Sequence, residues 1–142
     1  MLLLQLILAH LVGDFLLQPY AWVKEKESKK LASNKLYFHV GIHLMLNFLF
    51  LWDLKLWYIP LIISATHLAI DAWKLSFQNE KNRRLLFFLD QLFHFSIIFG
   101  LYFLIERENI HFNLSPILLC YLTGAFFLTT PASIMIKTLI SI

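Results

Sequence analysis

Cysteine is almost absent from this chain of 142 residues. Cys120 stands alone in an apolar stretch, so neither a disulfide framework nor a cysteine-based zinc site can be built. Glycine and proline are scarce as well, four of each, which leaves long apolar runs unbroken. Charge is thin: Asp, Glu, Lys and Arg make up 15% of the residues, where soluble domains carry about 25%. These shortages leave no room for a separate soluble domain.

What fills the chain is apolar. Hydrophobic residues account for 59% of it, and the mean hydropathy is +0.69. A membrane span needs roughly 20 apolar residues to cross about 30 Å of hydrocarbon. The pattern therefore predicts an all-α, polytopic transmembrane helical bundle of about five helices, with residues 1–142 forming a single transmembrane domain. Span one runs from Leu2 to Trp22, followed by a charged loop from Lys24 to Lys35. Span two covers Leu36 to Trp52, then a short turn holds Asp53 and Lys55. Span three is Trp57 to Leu75, span four Leu85 to Ile105, and span five starts at Pro116. Thr129-Thr130-Pro131 is expected to kink or end that last helix. The chain stops at Ile142, still apolar, and the expectation is a domain truncated at its C-terminus.

The net charge of +3 does not signal nucleic acid, because the basic residues sit in two short inter-span loops rather than along one face. Met1–Gln18 is not a cleaved signal peptide. It lacks a basic start and a small-residue cleavage site, and it carries His10 and Asp14 inside its apolar run. Lys24, Lys26, Lys29, Lys30 and Lys35 fall in the first loop; Lys81, Arg83 and Arg84 fall in the third, Ser76–Arg84, with Lys74 just before it. Lys55 and Arg107 are alone in the second loop and the fourth, Glu106–Ser115. The positive-inside rule places loops one and three in the cytoplasm and the N-terminus outside. Trp22, Tyr37, Trp52, Trp57, Tyr58 and Trp73 mark the span ends as an aromatic belt.

Four of these spans carry ionisable residues four apart: His10 and Asp14, continuing to Gln18; His39 and His43, continuing to Asn47; His67 and Asp71; Asp90 and His94. Residues at i and i+4 share a helix face, so each helix presents one polar stripe. A charge at the bilayer centre costs roughly 2.5–3.5 kcal/mol on insertion scales, so such stripes turn inward and pair. Counted by helical rise, they lie roughly 7–13 Å from the cytoplasmic end of each span, in one layer. There is an internal echo too. His10-Leu11-x-x-Asp14 matches His67-Leu68-x-x-Asp71, and His39-x-x-x-His43 is answered by Asp90-x-x-x-His94, the pattern of a parallel repeat of two helix pairs.

Imidazole and carboxylate at this spacing suit a borderline divalent cation, zinc above all, with iron or manganese as the other candidates. His10, Asp14, His39, His43, His67, Asp71, Asp90 and His94 are the candidate ligands. Eight groups exceed the needs of one ion, so they suit two metals, or one metal with a carboxylate shell behind the histidines. Such an ion lowers the pKa of bound water toward about 7 and supplies hydroxide for hydrolysis, with Asp71 or Asp90 as general base. Gln18, Asn47 and Gln91 read as donors behind the ligands, or equally as plain inter-helix hydrogen bonds. The bland alternative for the whole set is helix packing, at roughly 0.6 kcal/mol per hydrogen bond. Lys74 reads first as a snorkelling interface lysine and second as a neutraliser of phosphate near Asp71. The Lys24–Lys30 run sets topology and secondarily suits anionic headgroups. Glu106, Glu108 and His111 read as solvated loop residues, and Cys120 as packing.

The stretch Ala9-His10-Leu11-Val12-Gly13-Asp14-Phe15-Leu16-Leu17-Gln18-Pro19 resembles the opening of a bacterial integral membrane protein family catalogued only as a domain of unknown function. The resemblance continues through His39-x-x-x-His43, Thr66-His67-Leu68-x-x-Asp71 and Leu89-Asp90-Gln91-x-x-His94, and so spans the first four helices. It implies a multi-pass protein of the bacterial inner (cytoplasmic) membrane and brings no activity with it; members of that family often continue into further hydrophobic helices. A more distant likeness is to membrane-bound metal-dependent hydrolases, although the chain lacks their glycine- and arginine-bearing opening. Motifs of lipid phosphatases, phosphatidyl-alcohol transferases and polyprenyl transferases are missing.

The leading expectation is an intramembrane metalloprotein that hydrolyses a lipid-linked or amphipathic substrate near the cytoplasmic leaflet. The alternatives are a transporter or channel subunit passing protons or divalent cations, and a structural partner in a homo-oligomer or membrane complex. A polar lane to the outer side would favour transport, and only Asn47 and Ser96 offer themselves for it. Topology is directly testable. In a Cys120→Ser background, Lys29→Cys and Lys81→Cys should react with an impermeant maleimide from the cytoplasmic side and Lys55→Cys from the other; labelling of all three from one side refutes the assignment.

Overall fold

The computed structural model describes residues 2–106 and 115–140, and all its regular elements are helical. α1 spans Leu2–Leu11 and runs into a π-helical turn, Val12–Leu16. α2 is Tyr20–Lys29, α3 Asn34–Leu51, α4 Tyr58–Phe77, α5 Arg83–Glu106 and α6 Pro116–Ile140, with short 3-10 turns at Lys30–Ala32 and Leu54–Leu56. Arg107, Glu108, His111 and Ile142 lie outside the described residues, and the side chain of Glu106 is not described.

Local chemistry sets these boundaries. Ser33 caps α3, its hydroxyl accepting from the Lys35 amide at 3.2 Å. Asn82 closes the α4–α5 turn by donating to the Phe77 carbonyl at 2.9 Å. The first predicted span needs correction. Instead of one helix to Trp22, the chain breaks after Leu16, because Pro19 has no amide proton and drives Gln18 out of the helical region. The expected charged loop is mostly helix: Leu2–Leu16 and Tyr20–Ala32 meet at a bend of 82°. At Pro131, by contrast, α6 continues unbroken. Thr129 Oγ1 donates to the Phe126 carbonyl at 2.7 Å just before it, and an apolar helix tolerates proline where nearby hydroxyls satisfy the backbone.

α1 packs on α3 and α5, α4 packs on the same two, and these four helices close a ring, with α6 against α1. Polarity across the ring is inverted relative to a soluble domain. His10, His39, His43, His67, Asp71, Asp90, Gln91 and His94 are buried, while Phe38, Met45, Leu49, Leu92, Phe103 and Leu104 are exposed. One end of the ring, away from the lysine-rich α2, is filled by an apolar cluster of Leu2, Leu6, Leu51, Leu56, Ile59, Ile63, Ile98 and Ile105. The helical segments Arg83–Ile105 and Ile117–Ile140 are long and apolar enough to cross a membrane, and the bent pair adds a third if counted as one span. α3 and α4 are long enough, 18 and 20 residues, but their inward polar residues lower their average.

Ile59 is fully buried in the apolar cluster. Ile59→Ala should lower stability by about 2–5 kcal/mol through the cavity it leaves, measured as a fall in the melting temperature of the detergent-solubilised protein; an unchanged transition would mean the cluster is loosely packed.

Candidate metal centre

Asp14 owes its position to the π-helical turn. The Leu17 amide donates to the Val12 carbonyl at 2.9 Å, five residues back, and this widened turn belongs to a class frequent at functional sites. Gly13, one residue earlier, lets α3 approach. A Cβ there would lie 2.6 Å from His43 Nε2 and 3.0 Å from its Nδ1, inside the imidazole's contact shell.

Around Asp14 three imidazoles converge. Its Oδ1 lies 2.9 Å from His43 Nε2, 3.2 Å from His39 Nε2 and 3.5 Å from His67 Nε2. His39 and His67 bring their Nε2 atoms within 3.1 Å of each other. Oδ2 of Asp14 accepts from Gln91 Nε2 at 3.0 Å and lies 3.8 Å from His10 Nε2. The rings stack as well: His43 on His67 at 3.8 Å and His67 on His94 at 4.0 Å between centroids. His94 Nε2 sits 3.5 Å from Asp90 Oδ1 and 3.7 Å from Asp71 Oδ1.

The eight residues expected to be ligands thus occupy one buried layer. Gln18, Asn47 and Gln91 border it: the Gln18 amide is 2.7 Å from His39 Nε2, and Asn47 Nδ2 donates to the His43 carbonyl at 2.8 Å. Three ligand-forming groups arise, within each of which the donor atoms lie no more than 4.8 Å apart: His10, Asp14, His43 and His67; His39, His67 and Asp71; Asp14, Asp90 and His94. The Nδ1 atoms of His39 and His43 are buried without a hydrogen-bond partner among the described residues, an expensive condition for polar atoms in a low-dielectric interior. Nitrogen and oxygen donors grouped this closely could hold a metal ion.

Two lysines belong to the layer that the sequence assigned elsewhere. Lys26, read as a topology determinant, is buried and donates to Asp71 Oδ2 at 2.8 Å. Lys74, read as a snorkelling residue, reaches Asp90 Oδ2 at 2.9 Å. The signal for Lys26 was the Gln18-Pro19 break, which folds α2 back, together with Trp22, Val23 and Lys26 recurring on one helical face. Gly13 had no signal beyond its place beside Asp14. Ser96, a candidate for an outward polar lane, instead faces outward and bonds to the Leu92 carbonyl at 2.8 Å.

Fold and site together define a class: a helical protein, apolar outside, with a histidine–aspartate layer at the heart of a four-helix ring. The chain belongs to the family described as "Protein of unknown function" (DUF3307), whose model matches residues 2–121, the whole ring and the start of α6. No curated protein and no solved structure matches the chain.

Gly13→Ala should push the His43 ring aside and cost about 1–3 kcal/mol as an overpacking change. Gly41→Ala meets nothing within 4 Å of the added Cβ and should stabilise α3 by roughly 0.5–1 kcal/mol. Paired thermal melts check both; equal behaviour would show that Gly13 is not held against His43.

Proposed function

We propose that this protein is an intramembrane metalloprotein whose divalent ion, zinc in type, sits at Asp14 and serves hydrolysis of a lipid-linked or amphipathic substrate at the cytoplasmic leaflet. The observation that carries this reading is the approach of three imidazole Nε2 atoms to one carboxylate oxygen, all within 3.5 Å. Neutral imidazoles cannot all donate and accept through the same atoms; a cation at their centre turns that crowding into coordination. Divided as His10–Asp14–His43 and His39–His67–Asp71, the donors would supply three protein ligands to each of two ions. Bound there, the metal would polarise water and supply hydroxide near neutral pH.

The chain's own residues then handle protons. Asp90 is the general base, and His94, whose Nε2 lies 3.5 Å from its Oδ1, orients or relays. Water would give its oxygen to the electrophile and a proton to Asp90, and Asp90 would return that proton to the departing oxygen as its bond to the electrophile breaks. Gln91 holds Asp14 by donating to its Oδ2 at 3.0 Å, the role outer hydrogen bonds play for metal ligands.

Several observations support the membrane setting. Outward faces of α3 and α4 carry Phe38, Met45, Leu49, Leu61 and Ile62, so both are read as spans whose polarity is turned inward. With α1, α5 and α6 they make a multi-pass protein of the bacterial inner membrane, lysine-rich end in the cytoplasm and N-terminus outside. Ring order sets α1 opposite α4 and α3 opposite α5, as a parallel two-helix repeat requires. Transport is disfavoured because the apolar cluster stops the polar layer at the outer end, and an enzyme needs only one open side.

Elemental analysis of the purified protein tests the proposal. Stoichiometric zinc, iron or manganese is expected, with His43→Ala and His67→Ala losing most of it while remaining monodisperse. A metal-free wild type that takes up none of these ions from solution ends the metal reading.

A further inference from the structure

The two lysines have no part in holding a metal, yet both stand beside it. Lys26 arrives from α2 through the 82° bend, the one buried residue of that helix. Lys74 lies one turn beyond Asp71 on α4. Each aspartate they meet divides its oxygens. Oδ2 of Asp71 and of Asp90 faces a lysine, at 2.8 and 2.9 Å; Oδ1 of each faces His94 Nε2, at 3.7 and 3.5 Å. Both ammonium groups therefore flank the same histidine, a single residue away from the ligand atoms.

Charge counting shows what they are suited to. Asp14, Asp71 and Asp90 bring three negative charges to the layer and Lys26 and Lys74 two positive ones, leaving one negative charge when the imidazoles are neutral. One divalent ion reverses the sign, and a second makes the excess larger. Uncompensated charge in a buried site costs several kcal/mol per ion, so the metal-loaded layer demands an anion. Each ammonium carries three donors and spends one on its carboxylate. A compact cation on a flexible stem is the group that meets a tetrahedral oxyanion as a point charge.

We infer that Lys26 and Lys74 form an oxyanion-binding pair that receives a phosphate group of the substrate, which makes the substrate class a phosphate ester. The inference rests on the metal reading above. Lysines and arginines elsewhere at this end, among them Lys29, Lys81 and Arg84, would draw anionic molecules toward it.

The test uses the full chain in lipid nanodiscs, loaded with zinc, its zinc content measured in every sample. Inorganic phosphate is titrated in by calorimetry, and in a second arm the nanodiscs hold phosphatidic acid or phosphatidylcholine and its headgroup is followed by phosphorus NMR. Zinc-loaded wild type should bind phosphate, or phosphatidic acid in preference to phosphatidylcholine; the first result points to a soluble phosphate compound and the second to a lipid. Lys26→Met and Lys74→Met should each weaken that binding about tenfold at unchanged zinc content, with Lys26→Arg and Lys74→Arg recovering most of it. Lys74 is partly exposed, so its variant carries the test if Lys26→Met does not fold. Zinc-loaded protein that binds neither probe, or binds equally after both lysine changes, overturns the inference and leaves the metal centre standing. Failure to take up zinc removes both.

Discussion

Asp14 Oδ1 is the atom on which the structure turns. Three imidazole nitrogens crowd it from two different helices, α3 and α4, and the 3.1 Å contact between the Nε2 atoms of His39 and His67 lets only one of those two carry its proton there. The crowding is possible because the π-helical turn presents the carboxylate inward and because Gly13 removes the one Cβ that would collide with His43. Something positively charged must balance the layer. Two lysines do most of that, leaving one negative charge when the imidazoles are neutral.

This constraint also explains the distribution of polarity. Five imidazoles and three carboxylates lie inward, while Phe, Leu and Met side chains of α3, α5 and α6 are exposed, the distribution that an apolar medium favours. The ring shields the layer from the sides, and the leucine–isoleucine cluster shields it from one end. The remaining end is where α2 lies, tied down by Lys26 to Asp71, by Arg83 to Glu27 at 3.1 Å and by Lys30 to the Gln78 carbonyl at 3.2 Å.

Much of this was legible in the residues. Four-residue spacing put His10 with Asp14, His39 with His43, His67 with Asp71 and Asp90 with His94 on shared faces, and inward-turning stripes had to meet. Helical identity followed from long apolar runs. What escaped were features that depend on where the chain turns. Span one reads straight through Pro19 to Trp22, so neither the break there nor the 82° swing that brings a lysine under the ring is visible in it. Lys26 and Lys74 look like interface residues because one-dimensional reading places them at span ends. Thr129-Thr130-Pro131 is expected to kink or end the last helix, and it does not end it: α6 runs through Pro131, as apolar helices tolerate.

The mixed character of α3 and α4 has a consequence for how the protein is made. Neither helix is apolar enough to qualify as a span alone, because of the histidines and Asp71 they carry, which meet one another across the pair and meet partners on α2, α5 and the turn after α1. The pair is joined by a turn of a few residues around Leu54–Leu56, so in the proposed membrane setting the two would enter most cheaply together, as a hairpin that keeps His39, His43 and His67 against one another. Completion of the buried layer would then wait for Asp90 and His94 on α5, and a chain interrupted before them would leave His67 without one of the rings it stacks on.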